Sequence, residues 1–254
     1  MRLPRRLGDA EEAELVNHLG ELRARSFIAL GAVAFGSVAG YLVHARVIEA
    51  FLAALPEGHR RLVTLGVTEP FVTSLKVSIA IGFALALPIV LRQVWSFLAP
   101  ALDRSIRRAI AWLTVSAAGL LAIGVAFGYL VALPAALRFL VGFDAAVYDV
   151  QIRAADYISF ALLTMVACGV VFELPVVVLG LVRMGVLSSA KLRRSRRLGY
   201  FLVVLAGVAL PGVDPVTTVI ETLPLLVVYE ASIWLSVLFE RRWAAMRPVL
   251  DARA

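Results

Sequence analysis

The 254-residue chain has one cysteine and three histidines. With Cys168 alone, no intramolecular disulfide can form and no cysteine-type metal cluster can be built. His18, His44 and His59 all fall outside the long apolar runs. Neither paired metal ligands nor a nucleophile with a nearby base is visible, which argues against an enzyme and implies no cofactor or metal. Charge is scarce as well, at 17% of residues against about 25% in ordinary soluble domains. No motif repeats between the two halves, which weakens a transporter built from inverted repeats.

What fills the chain instead is hydrocarbon. Apolar residues make up 61% of it and the mean hydropathy is +0.89, so bilayer solvent is the simplest explanation of the composition. A span needs about 20 mostly apolar residues, and six runs qualify as helices: 25–43, 71–91, 110–133, 157–182, 198–210 and 223–239. The expected fold is therefore all-α, a polytopic integral membrane protein with one membrane domain over 1–254. The last two runs are short, about 20 and 26 Å at 1.5 Å per residue. Such a pair must thin the bilayer or be shielded by partners, unless its helices continue through less apolar flanks.

Loop charge sets the orientation. Arg2, Arg5, Arg6, Arg23 and Arg25 precede or open the first run, and Arg92, Arg104, Arg107 and Arg108 follow the second. Arg183, Lys191, Arg193, Arg194, Arg196 and Arg197 follow the fourth, and Arg241, Arg242, Arg247 and Arg253 end the chain. The other side has only Arg46, Arg60, Arg61, Arg138 and Arg153. The positive-inside rule then places both termini in the cytoplasm. The net charge of +7 is mostly this topology signal and gives no hint of nucleic acid. Arg5-Arg6 is not read as an export signal, because Glu11, Glu12 and Glu14 intervene and five more spans follow the first.

Glu173 stands out, a carboxylate inside the apolar run 157–182. Such a charge costs a few kcal/mol on insertion scales, so it faces protein or water and marks a working site, or else a buried hydrogen bond locking two helices. Pro175 follows two residues later and Pro88 sits near the inner end of the second run; either frees backbone carbonyls and bends its helix. Pro224 is expected to open the sixth helix, where a first-turn proline is comfortable. The stretches 44–70 and 134–156 are too short to fold alone and are expected to cap the bundle.

Four further constellations carry polar or aromatic residues. His18-Leu19-Gly20-Glu21-Leu22-Arg23-Ala24-Arg25 reads as an amphipathic interfacial helix over about 10–24 that runs into the first span. Its bland reading is an anchor with an internal Glu21 to Arg25 pair. Pro70-Phe71 enters the second span, with Lys76 placed to snorkel toward the interface. Gln93, Trp95, Phe97, Pro100 and Leu102 make an aromatic exit of the kind that forms an interfacial belt. Finally, Pro211-Gly212-Val213-Asp214-Pro215 makes a tight turn, and Tyr229-Glu230 places a second acid within the sixth span.

Taken in this order, these pieces resemble the TatC family, the multispanning receptor subunit of the twin-arginine translocase. The carriers are His18 to Arg25, Pro70-Phe71, Pro88, Gln93-Val94-Trp95-Ser96-Phe97, Pro100-Ala101-Leu102, Phe172-Glu173-Leu174-Pro175, Pro211 with Asp214-Pro215, and Tyr229-Glu230. The resemblance implies a cupped, glove-like bundle in the cytoplasmic membrane whose concave face holds Glu173. It also implies Sec-independent export of folded proteins, driven by the proton-motive force without nucleotide. The partners implied are twin-arginine signal peptides, single-span subunits of the TatA/TatB type, membrane lipid and further copies of the chain. Signal binding would fall to Glu21, Leu19, Arg23, Phe97 and Asp103. Pro70, Lys76, Gln93, Pro175, Asp214, Tyr229 and Glu230 would be structural or partner contacts.

The chain departs from the family pattern at Ile106, where members usually carry a second glutamate just before an arginine pair, here Arg107-Arg108. Asp103 is the nearest replacement for that charge. Thr217-Thr218 also replaces a Ser-Gln often found after the outer aspartate. The competing class is a proton-coupled solute transporter with Glu173, Glu230 and Lys76 as relay groups.

Overall fold

A computed structural model describes residues 9–98, 104–144, 147, 150–209 and 215–251. Nine α-helices account for most of them: α1 (Asp9–Ala54), α2 (Glu69–Leu98), α3 (Arg104–Phe127), α4 (Leu133–Gly142), α5 (Ala154–Phe172), α6 (Leu174–Arg183), α7 (Ser189–Arg194), α8 (Arg196–Ala209) and α9 (Pro215–Asp251). A π-helical turn, Gly128–Ala132, joins α3 to α4. Hydrocarbon offers the backbone no hydrogen-bond partner, so helices that satisfy themselves are what these apolar runs must form.

Among the described residues, five stretches are long and apolar enough to cross a membrane: His18–Ala54, Glu69–Phe97, Ala111–Gly142, Ala154–Arg183 and Thr218–Glu240. The expected fifth run, 198–210, is the helix α8, whose 14 residues reach about 21 Å, short of a hydrocarbon core of about 30 Å. The expected sixth is not short. It is the middle of the 37-residue α9, which continues through polar flanks because a helix does not end where apolarity does. Pro224 therefore does not open this helix; it lies inside α9, and Pro215 takes the first position. The interfacial helix expected over 10–24 and the first span form one unbroken helix, α1.

The two prolines of the second and fourth runs act differently. Pro88 lies within α2, which continues uninterrupted to Leu98. Pro175 lacks an N–H and its ring crowds the carbonyl four residues earlier, and here the helix does break. Glu173 is the joint between α5 and α6, with its N–H on the Val170 carbonyl at 3.1 Å and its own carbonyl accepting from Val177 at 3.0 Å.

The apolar faces turned to lipid stay exposed, as on α1, where Phe35 and Leu42 are 80% and 82% accessible. Helices cannot be held together by burying such surface from water, so close packing must do it. On α1 the small residues Gly36, Ser37 and Gly40 lie against Ser78 and Gly82 of α2. A Cβ on Gly36 would come within 2.9 Å of the Gly82 carbonyl oxygen, and one on Gly82 within 2.7 Å of the Ser37 Cα. Further from this crossing, Phe51, Leu55, Val77, Leu133, Leu137, Tyr157, Ile158 and Ala161 form the main apolar core. The Tyr129 hydroxyl donates to the Ala50 carbonyl at 2.9 Å beside it.

At the end of the bundle opposite the basic loops, the two loop segments are tied to each other. Val63 donates to the Ile152 carbonyl and accepts from the Ala154 N–H, both at 2.9 Å. Buried Glu69 accepts from the Arg153 guanidinium at 3.2 Å, from the Ala155 N–H at 3.0 Å, and from the N–H groups of Leu65 and Gly66 at 3.1 and 3.3 Å. One carboxylate thus joins the start of α2, the loop before it and the start of α5.

The α1–α2 crossing has no room for a side chain, whereas Gly31 has open space. Gly82→Leu is expected to cost about 1–3 kcal/mol through overpacking and to lower the melting temperature in detergent by roughly 5 °C. Gly31→Leu should leave it unchanged. Tryptophan fluorescence on heating checks the pair, and equal melting temperatures would remove the crossing from the stability argument.

Candidate functional site

At the basic end, the antiparallel helices α1 and α2 bring together residues that lie far apart in the chain. Glu21 and Arg25 are one turn apart on α1, so their side chains meet, with Arg25 Nε donating to Glu21 Oε1 at 3.0 Å. The same guanidinium reaches Gln93 Oε1 on α2 at 3.5 Å through its Nη1. One helical turn below, the His18 ring stacks on Phe97 with centroids 4.3 Å apart. Leu19 is 61% exposed beside them, and Arg23 turns aside to lie over the Phe27 ring at 5.7 Å.

The result is a corner made of an acid, a guanidinium, an amide and an aromatic stack. Its acid is partly open, with a third of the Glu21 side chain accessible. The expected internal pair of Glu21 and Arg25 is present, and it sits in a tertiary contact with Gln93 instead of on a bare interfacial helix. Of the expected binding residues, Glu21, Leu19 and Phe97 come together at this corner, while the Arg23 guanidinium lies on Phe27. Asp103 and Asp214 lie outside the described residues. Ile106 falls in the first turn of α3.

Trp95 does not join an interfacial belt. It is 4% exposed and packs over Gly180 of α6, where a Cβ would lie 2.7 Å from the indole Cζ2. The reason is that glycine leaves a slot that an indole fills, a tertiary match invisible from composition.

Glu173 is 3% exposed, and neither of its carboxylate oxygens has a hydrogen-bond partner among the described residues. Its neighbour Phe172 stacks on Phe127 of α3 at 5.6 Å. A cavity of about 510 Å³ lies nearby, lined by Val170, Val171 and Leu174 among others, and Glu173 does not line it. The carboxylate is enclosed by protein at the α5–α6 joint.

The other expected polar residues are occupied. Lys76 donates to the Ser159 hydroxyl at 3.0 Å. Glu230 accepts from the Tyr200 hydroxyl and pairs with Arg196 at 3.4 Å, while Arg196 also lies over the Trp234 ring at 5.7 Å. Tyr229 meets Tyr200 edge to face at 5.8 Å. Together these five side chains clamp α8 onto α9. Pro70 is exposed in the first turn of α2, and Pro175 is buried at the start of α6.

Two buried acids were missed in the sequence. Glu69 precedes Pro70-Phe71, and Glu221, 1% exposed, precedes the apolar run of α9. Both sit just outside windows drawn by hydropathy, Glu69 in the first turn of α2 and Glu221 in the second turn of α9, and that position ahead of an apolar run was the available signal.

The TatC family model, described as Sec-independent protein translocase protein (TatC), matches residues 17–224. The Sec-independent protein translocase protein TatC of Aquifex aeolicus is 37% identical over 237 residues, covering 90% of this chain and 96% of its own. That of Carboxydothermus hydrogenoformans is 34% identical over 223 residues, 87% and 92% of the two chains. The Escherichia coli K12 protein is 33% identical over 233 residues, 87% of each. The crystal structure of the twin arginine translocase receptor TatC in DDM superimposes with a TM-score of 0.76 at 34% identity, covering 86% of this chain and 99% of that one. By sequence and by fold, this chain belongs to the TatC family of Sec-independent protein translocase proteins.

Proposed function

We propose that the chain is the signal-peptide receptor of a twin-arginine translocase and that its first contact with a signal is the corner around Glu21. One observation supports this most directly: Glu21 already holds a guanidinium, that of Arg25, with Gln93 on its far side and the Phe97–His18 stack below. A paired arginine approaching this end meets many basic loops, so attraction must come from a carboxylate placed locally. Arg25 then acts as a resident surrogate that an incoming arginine displaces. Leu19 offers exposed apolar surface for the hydrophobic part of the signal.

Glu173 belongs to a later stage. A carboxylate enclosed at a helix joint in the membrane is costly, and the α5–α6 break gives it a place to move when the bundle opens around an inserted signal. Membrane orientation with both termini inside, location in the cytoplasmic membrane and α8 as a sixth, short span complete the reading. It also includes assembly with single-span subunits of the TatA/TatB type and with other copies, driven by the proton-motive force. A proton-coupled solute transporter is less well supported, because Lys76 is tied to Ser159 and Glu230 to Arg196 and Tyr200.

The deciding experiment is binding of a twin-arginine precursor to the purified chain in nanodiscs, beside the same precursor with both arginines changed to lysine. Arginine should be strongly preferred; equal binding, with a single-span partner present as well as absent, would overturn the reading. Glu21→Ala should weaken the wild-type precursor roughly tenfold, the scale of one charge-assisted hydrogen bond, with the melting temperature unchanged. Ile106→Glu should tighten it, and an unchanged affinity would separate that position from the site. Glu173→Ala should leave precursor binding intact and reduce export in cells lacking their own receptor. Wild-type export by that variant would make Glu173 purely structural.

A further inference from the structure

The cavity of about 510 Å³ lies between α6 and α8, with α9 as its floor. Its walls are apolar, formed by Leu174 and Val178 on one side, Leu202 and Ala206 on the other and Leu225 below. Only at the α7–α8 end does the lining become polar, with Lys191 and Ser195. No described acid pairs with Lys191, whereas Arg196 beside it is held by Glu230 and Trp234. The same end carries exposed Arg193, Arg194 and Arg197.

We propose that this groove is a binding site for one anionic phospholipid, its acyl chain along the α6–α8 walls and its phosphate at Lys191 and Ser195. The walls favour hydrocarbon, because Leu174, Val178, Leu202, Ala206 and Leu225 offer an acyl chain no polar side chain. Charge favours an anion, because basic pockets between helices at the headgroup level recognise anionic lipid heads. The short α8 supplies the reason: a 14-residue helix beside the 37-residue α9 leaves an apolar slot that hydrocarbon must fill.

Native mass spectrometry of the purified chain, offered equal phosphatidylglycerol and phosphatidylcholine with matched chains, tests this. Wild type should retain phosphatidylglycerol with about fivefold preference, the scale of one basic side chain near a lipid head. Lys191→Gln, an exposed change, should reduce the preference to near one. Arg193→Gln with Arg194→Gln, outside the groove, should change it little. Ala206→Trp, which fills the slot, and Leu202→Gln, which adds no bulk but makes the wall polar, should each lower retention of both lipids. A preference that survives Lys191→Gln, or falls equally with the Arg193 and Arg194 changes, would show diffuse surface attraction and overturn the site. Unchanged retention in both wall variants would overturn it too, including the case of a single-span helix as the true occupant.

Discussion

The corner around Glu21 depends on how closely α1 approaches α2. In hydrocarbon, lateral association gains nothing from hiding apolar surface, so two helices hold their register only where small residues let backbones touch. Gly36, Ser37 and Gly40 against Ser78 and Gly82 do this. Arg25 lies eleven residues before Gly36 and Gln93 eleven after Gly82, so both end about 16 Å from the crossing on antiparallel helices. Their contact is a geometric result of the glycine register. A slip of one turn along either helix would part Arg25 from Gln93 and leave His18 without Phe97.

Three acids within the bundle show three solutions to one electrostatic problem. Glu69 is saturated by an arginine and three backbone N–H groups, and it fixes loops that would otherwise be loose. Glu230 is matched by a tyrosine hydroxyl and a guanidinium, and it fixes a helix too short to hold its own place. Glu173 has no such compensation among the described residues and sits where the helix is already broken. Structural acids are surrounded by donors, and the later role proposed for Glu173 would have it find them in a second conformation. On that proposal the break and the isolation of the carboxylate are one feature.

Much of this was legible in the chain. Apolar windows of about 20 residues give an all-helical membrane protein, and Pro175 announced a bend in the fourth run, which the structure realises as a break at Glu173. The one-turn spacing of Glu21 and Arg25 announced their pair. The rest was hidden for physical reasons. Glycine inside an apolar run reads as one more small residue until its partner helix is known, so the α1–α2 crossing was invisible. Hydropathy marks where lipid contact ends and says nothing of where the helix ends, which misplaced Pro224 and shortened α9. Trp95 was assigned to the interface because the slot at Gly180 exists only in three dimensions. Glu69 and Glu221 lay just beyond the apolar windows.

The occupied state of Glu21 bears on discrimination between arginine and lysine. A carboxylate already bonded to Arg25 offers an incoming cation only an exchange, so the gain is the difference between two pairings. An ammonium, strongly hydrated and unable to present a planar fork, loses that exchange to the resident guanidinium. An arginine competes on equal terms, and the second arginine of a pair, if it meets Gln93 or the face of Phe97, makes the exchange favourable. In the proposed receptor, with Ile106 in place of a second acid, this competition at one carboxylate would be the main source of selectivity. On that proposal the Glu21–Arg25 contact that looks like a bland helix pair sets the threshold for a twin-arginine signal.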